Sequence, residues 1–204
     1  MIVKVIVTTE LELDEPTVDA GFITWMDIEI RADEYENEEG EEPKPVDAYI
    51  GRGSVALIHV GGAGEDLWDA LDADSGEMEA LHNVYFEDGW FKDEYAEGAG
   101  SGLLYVSEIS IEPAWQGRNI ELAVVRRLCE TVGQGCELAV IPYESAKEIE
   151  HWGQMGFEVS TPKKSTGYMH MKLAYRLPRI VRSDDQDRYN VVPDLSPDQR
   201  RRYH

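Results

Sequence analysis

The residues best placed to do chemistry lie in one run, SEISIEPAWQGRNIELAVVRRLCE, residues 107–130. A strand-like stretch ends at Pro113, a tight loop holding Gly117 follows, and a helix-like stretch begins near Asn119. The first amides of such a helix lack intrahelical acceptors and carry partial positive charge, which suits a pyrophosphate. Gly117 lets the backbone come close to a ligand, and Arg118 can add a direct charge. Asn119 tolerates the left-handed backbone conformations that a tight loop asks for. Glu121 works the other way. A carboxylate about 5 Å from a phosphate costs on the order of 3 kcal/mol at an effective dielectric near 20, roughly a hundredfold in affinity. An acid is also simply favoured in a helix's first turn.

Several elements must hold this run in place. MIVKVIVTTELEL, GFITWMDIEIRAD and VDAYIGRGSVALIHV alternate apolar and polar residues and predict three strands. The acidic stretch EYENEEGEEPKP between the last two predicts a solvated hairpin loop. From Asp66 to Phe86 the apolar period changes to three and four, interrupted by DADSG, so two short helices are expected. EDGWFKDEYAEGAGSG reads as an ordered loop with a flexible end, and its Asp88, Asp93, Glu94, Glu97, Trp90, Phe91 and Tyr95 could rim a pocket for a cationic amine. GLLYVSEISI predicts a strand that Pro113 helps to end. IELAVVRRLCETVGQG predicts an amphipathic helix, and ELAVIPY a buried strand. SAKEIEHWGQMGF predicts a helix capped by Ser145 and stopped at Gly156, with strands FEVS and GYMHMKLAYRL after it. The expected organisation is one domain over residues 1–178, with an acidic loop at 34–45 and a helical insertion and loop at 64–100. A polar tail, docked at a few points or mobile, follows at 179–204.

Taken together, VSEISIEPAWQGRNIELAVVRRL, ELAVIPYESAKEIEHWGQMGFEV and GYMHMKL resemble the GNAT superfamily of N-acetyltransferases over roughly residues 102–175. That family's acetyl-CoA signature is Q/R-x-x-G-x-G/A between a strand and a helix. Gln116 and Gly117 match it, whereas Asn119 and Glu121 replace its glycine and its second small residue. The resemblance implies an α+β fold: a GNAT-like mixed, mostly antiparallel β-sheet with a splayed parallel strand pair and helices on both faces. It further implies acetyl-CoA, or another acyl-CoA, inserted between GLLYVSEISI and ELAVIPY. Ile109 and Ile111 would pair with the pantetheine amides, and the segment Gln116, Gly117, Arg118, Asn119, Ile120, Glu121 and Leu122 would wrap the pyrophosphate. Acyl transfer to an amine needs a base and a proton for the departing thiolate. Glu108 is the candidate base, on simple alternation facing opposite to Tyr105 and Ser107. Trp152 stands where the family usually places its tyrosine acid, and an indole N–H is no comparable donor. Tyr143 or His151 would substitute, Tyr143 being the choice made here.

Composition narrows the partners. Asp and Glu number 41 against 19 Lys and Arg, a formal charge of −22, which disfavours nucleic acid and anionic membranes. Arg200, Arg201 and Arg202 read as a solvated tail. No apolar run approaches the ~20 residues of a membrane span and no secretory leader is visible, so a cytoplasmic protein is expected. Cys129 and Cys136 lack any zinc-site pattern and predict reduced core thiols, with no metal. The expected partners are an acyl-CoA and an amine acceptor, on a small molecule or a basic protein segment, with a homodimer as a further candidate. Two other readings stay open. One is a catalytically degenerate relative that binds or regulates a basic partner through its acidic surface. The other is an acidic mimic of nucleic acid, which rests on charge alone.

Overall fold

The computed structural model describes residues 2–10, 21–36, 44–60, 66–160, 167–183 and 188–192. In chain order the elements are β1 (Val3–Thr8), β2 (Ile23–Glu36), β3 (Lys44–His59), α1 (Asp66–Asp74), α2 (Gly76–Tyr85), β4 (Phe86–Glu87), β5 (Trp90–Phe91) and β6 (Gly102–Ile111). They continue with α3 (Ile120–Glu130), β7 (Cys136–Tyr143), α4 (Ala146–Gly153), β8 (Glu158–Val159), β9 (Gly167–Lys172), β10 (Arg179–Ser183) and β11 (Arg188–Val192).

The alternating runs form one sheet of seven strands, ordered β1-β2-β3-β6-β7-β9-β8. Every neighbouring pair is antiparallel except β6 and β7. Period-two alternation gives this sheet two apolar faces. On one, Ile28, Ile30, Val55, Leu104, Val106, Ala139 and Ile141 meet the apolar stripe of α3 (Ile120, Val124, Val125, Leu128) and Trp152 of α4. On the other, Ala56, Ile58, Leu103, Tyr105, Leu138 and Val140 meet Leu67 and Leu71 of α1 and Met78, Leu81 and Tyr85 of α2. The fold is thus α+β, a mostly antiparallel sheet with one parallel pair and helices on both faces. Each fully buried large side chain stabilises it by about 1.5–3 kcal/mol. The helix starts follow their caps: Ser75 Oγ accepts from the Met78 N–H at 3.2 Å, and Ser145 Oγ from the Glu148 N–H at 3.3 Å. Cys129 and Cys136 are buried free thiols, which burial pushes up to about 12 and about 11 respectively. Among the described residues no helix is long and apolar enough to cross a membrane.

Three segments differ from the sequence expectation. The β2–β3 ladder continues to Glu36↔Lys44, well into the stretch read as acidic loop. A hairpin ladder lasts as long as its backbones keep register, whatever the polarity of the side chains. What remains of that loop, residues 37–43, lies outside the described residues, as do Arg200–Arg202. Within EDGWF, read from the sequence as loop, Asp88 and Gly89 both take positive φ (51° and 75°) and turn β4 back onto β5 in a two-residue hairpin. The glycine-rich end that follows is fixed, because the N–H groups of Glu97, Gly98 and Gly100 all donate to the carboxylate of Glu137. A Cβ at Gly98 would come within 2.7 Å of Glu137 Oε2, so only glycine lets the chain wrap that acid. The tail after Pro178 holds a hairpin, β10–β11, whose Ile180, Tyr189 and Val191 pack against the α3 core.

Candidate site where β6 and β7 part

The parallel ladder between β6 and β7 runs through Leu103↔Leu138 and Leu104↔Ala139 and stops at Tyr105↔Val140. Beyond it each strand stays paired to its outer neighbour only, β6 with β3 as far as Ile111 and β7 with β9 as far as Tyr143. The sheet therefore opens between Val106–Ile111 and Ile141–Tyr143. A bulge marks the start of the opening: Val106 pairs Val55 and Glu108 pairs Ser54, leaving Ser107 as the extra residue. Bulges bend a strand and raise its twist. This one also reverses the alternation, so Glu108 comes to the same face as Tyr105, contrary to the simple period-two expectation. Side chains of Ile109 and Ile111 correspondingly turn to the α3–α4 face.

The backbone orientation along the opening follows from one hydrogen bond. Glu112 N–H donates to Ile50 O on β3 at 2.9 Å. The Ile111 carbonyl, in the same trans peptide, must then point the other way, into the gap. Gln116 Nε2 donates to it at 2.9 Å. Ile109 lies two residues earlier and shares that orientation.

Directly above sits the mouth of α3. Gly117 (φ 76°) and Asn119 (φ 55°, ψ 31°) both adopt left-handed backbone, as the tight loop demands. The first helical bond is Ala123 N–H to Asn119 O at 3.3 Å, so the amides of Ile120, Glu121 and Leu122 have no intrahelical acceptor. Ile120 and Leu122 point their side chains into the core. Arg118 lies over the Trp115 ring at 4.5 Å from its centroid. Asn119 is buried, and its Nδ2 donates to Tyr189 O at 2.9 Å while Tyr189 N–H donates to Arg118 O at 2.8 Å. Glu121 Oε1 lies 3.0 Å from His151 Nε2 on α4. Burial opposes ionisation of Glu121, but the His151 hydrogen bond, its own backbone N–H and the charges of His151 and Arg188 hold the carboxyl below the usual carboxylate range.

Of the two residues read as catalytic, Tyr143 projects from the parted end of β7 onto the α3–α4 face, where it is buried with Ile141 and Trp152. Glu108 projects from β6 onto the opposite face and is exposed. The two therefore flank the opening from either side. Trp152, adjoining His151 and Phe157 at ring distances of 5.1 and 6.2 Å, is a packing residue. On Glu108's face the structure assembles a group that sequence reasoning missed. Tyr105 donates to the Glu77 carboxylate, Tyr168 Oη donates to Glu77 O at 3.2 Å, and Trp25 meets Tyr105 edge-on at 6.5 Å. Burial first, then Glu77, pushes the Tyr105 phenol far above its ordinary value. These residues span more than a hundred positions, and no local pattern links them. The acidic rim expected at Asp88–Glu97 is split: Tyr95 is buried against Tyr85, Glu97 pairs with Lys172 and Tyr175, and Trp90 stays exposed.

No family model matches the sequence, and no curated protein matches it either. Among solved structures, the chain is similar to a crystal structure from the yellow fever mosquito described as arylalkylamine N-acetyltransferase 7. The likeness has a TM-score of 0.41 and 13% identity, and covers 72% of this chain and 64% of that one, just under two thirds of its length.

Proposed function

We propose that this chain is an acyl-CoA-dependent N-acyltransferase that uses acetyl-CoA or another acyl-CoA and acylates a primary amine of a small molecule or basic protein segment. The observation that carries the reading is the end of the β6–β7 ladder at Tyr105↔Val140, beside a helix mouth with unsatisfied amides. A β-sheet does not give up ladder hydrogen bonds in its middle without some other partner for those groups. The gap-facing main chain of Ile109 and Ile111 suits the amides of a pantetheine arm. The segment Gln116–Leu122, with both left-handed residues in it, suits a pyrophosphate. One residue of the set fits poorly, the Glu121 carboxylate.

The donor supplies an activated thioester, and the chain's own residues would do the rest. Tyr143, on the donor side of the opening, gives a proton to the departing thiolate. Glu108, on the far side, accepts the proton lost by the attacking amine, directly or through water. One C–N bond forms and one C–S bond breaks. The bulge at Ser107 is what lets base and acid stand on opposite faces.

A second reading has its own observation. Glu121 pairs with His151, and Gln116 caps the Ile111 carbonyl, as in a relative that has given up turnover and binds a basic partner instead. Thermal unfolding with and without millimolar acetyl-CoA separates the two. A ligand at a hundred times its dissociation constant stabilises the fold by about 2.7 kcal/mol. Stabilisation together with thiol release across a panel of amines supports the acyltransferase. No stabilisation at all sinks it in favour of the binding protein.

A further inference from the structure

We propose that the α3 mouth is closed by the protein itself: Glu121 occupies the anion position, His151 on α4 pairs with it, and the β10–β11 hairpin locks the loop beneath it. This rests on the acyl-CoA reading above and adds a gate to it.

Two helices remote in sequence meet at one carboxylate: Glu121 comes from the first turn of α3 and His151 from α4, its Nε2 3.0 Å from Glu121 Oε1. A carboxylate at a helix mouth, paired to an imidazole, sits where a bound phosphate oxygen would find free amides. Glu121 thus supplies internally the negative charge for which the place is built. Its ion pair with His151 also joins the helix that follows β6 to the helix that follows β7, tying together the two sides of the opening.

The hairpin adds the second contact. Tyr189 takes both ends of a two-point backbone clamp, donating to Arg118 O and accepting from Asn119 Nδ2. Whatever holds β11 in place therefore holds the geometry of the loop that leads into α3. A phosphate entering beside Glu121 would meet like charge, so entry requires the carboxylate to swing away from the helix mouth. The apparent affinity is then the intrinsic one reduced by the fraction of molecules in which Glu121 has swung away.

The test uses the full chain and coenzyme A itself, titrated by calorimetry into the wild type and into Glu121→Gln, which keeps the shape and removes the charge. Coenzyme A should bind the variant at least ~10-fold more tightly, while the unliganded variant melts at a lower temperature than the wild type. A residue with a merely structural role would lower the melting temperature without any gain in affinity. Equal or weaker binding by a folded Glu121→Gln, with measurable binding by the wild type, overturns the gate and leaves the acyl-CoA reading standing. No binding by either protein at millimolar coenzyme A overturns both. Should Glu121→Gln fail to fold, Glu121→Ala, which suits a helix and also removes the charge, must show the same gain.

Discussion

Two acids in this molecule lie beside backbone amides, and they are held differently. Glu137, at the start of β7, is only 2% exposed, and both its oxygens are taken: Oε1 by the N–H groups of Glu97 and Gly98, Oε2 by that of Gly100 at 3.0 Å. All three donors are main-chain groups of one short loop, and nothing in the set titrates or moves independently. Glu121, at the start of α3, keeps 19% of its side chain exposed and pairs across elements with the imidazole of His151 on α4, 3.0 Å away. The first is a staple, because removing the acid leaves three part-buried main-chain donors of one loop without their acceptor. The second is a plug, because its imidazole partner could serve another anion equally well. Burial and the independence of the partners, rather than the carboxylate itself, separate the two.

The largest effect should come from breaking the staple. Glu137→Ala leaves the loop donors unpaired and should cost about 3 kcal/mol or more of stability in urea denaturation. A loss under about 1 kcal/mol would mean that water satisfies those amides and that the two acids are alike after all. Next is pH. His82 and His170 have pKa values lowered chiefly by burial, so each stays neutral in the fold while its unfolded counterpart gains a proton near pH 6.5. That stability is complete above pH 6.5 and drains away as pH falls below it, by up to about 1.4 kcal/mol per pH unit for each histidine. Both ring nitrogens of His82 are buried without a hydrogen-bond partner, so His82→Leu should flatten the unfolding free energy between pH 7 and 5. Glu121 titrates in the same sense but in a lower pH range. Its folded pKa is depressed, so its contribution is present above the ordinary carboxylate pKa and lost only as pH drops through the lowered one. Glu121→Gln should therefore flatten the unfolding free energy between about pH 5 and 3, and an unchanged slope there would show that its neighbours do not hold the carboxylate low.

At neutral pH the unliganded Glu121→Gln protein should lose about 0.5–1 kcal/mol, the ordinary value of a half-exposed ion pair. A loss as large as that of Glu137→Ala would make the plug a second staple. The smallest effect belongs to Asn119→Gly. Glycine relieves the left-handed backbone but gives up the bond to Tyr189, two terms of about 1 kcal/mol that oppose each other. A net change beyond that size, by thermal melting, would reveal that the hairpin clamp bears more of the fold than its two hydrogen bonds suggest.

Much of the framework was legible in the chain because it depends on local order. Ser75 and Ser145 cap helices where the patterns changed period, and Leu103 to Val106 and Leu138 to Ile141 are the apolar runs of the two buried strands. Asn119 was the residue that a left-handed turn would accept, and it adopts one. Where reading failed, the cause lay in single residues or distant partners. One extra residue, Ser107, reversed the facing of Glu108, and no periodicity announces a bulge. The loop after Tyr95 was taken for a flexible end because its glycines were visible and the acid they wrap, some forty positions on, was not. The hairpin at Arg179–Val192 hid in a polar stretch because its docking depends on Tyr189, Ile180 and Val191 meeting a helix formed far upstream.

Among the described residues, the sequence by itself determined the four helices, the seven strands of the main sheet, their order and the presence of a glycine-bearing loop between a strand and a helix, since those follow from side-chain period and backbone preference along a few neighbouring residues. Only the tertiary structure decided where β6 and β7 separate, which face Glu108 takes and what Glu121 touches. Those depend on ladder register and on side chains brought within a few ångströms by folding, and a contact between α3 and α4 has no footprint in any one stretch of chain.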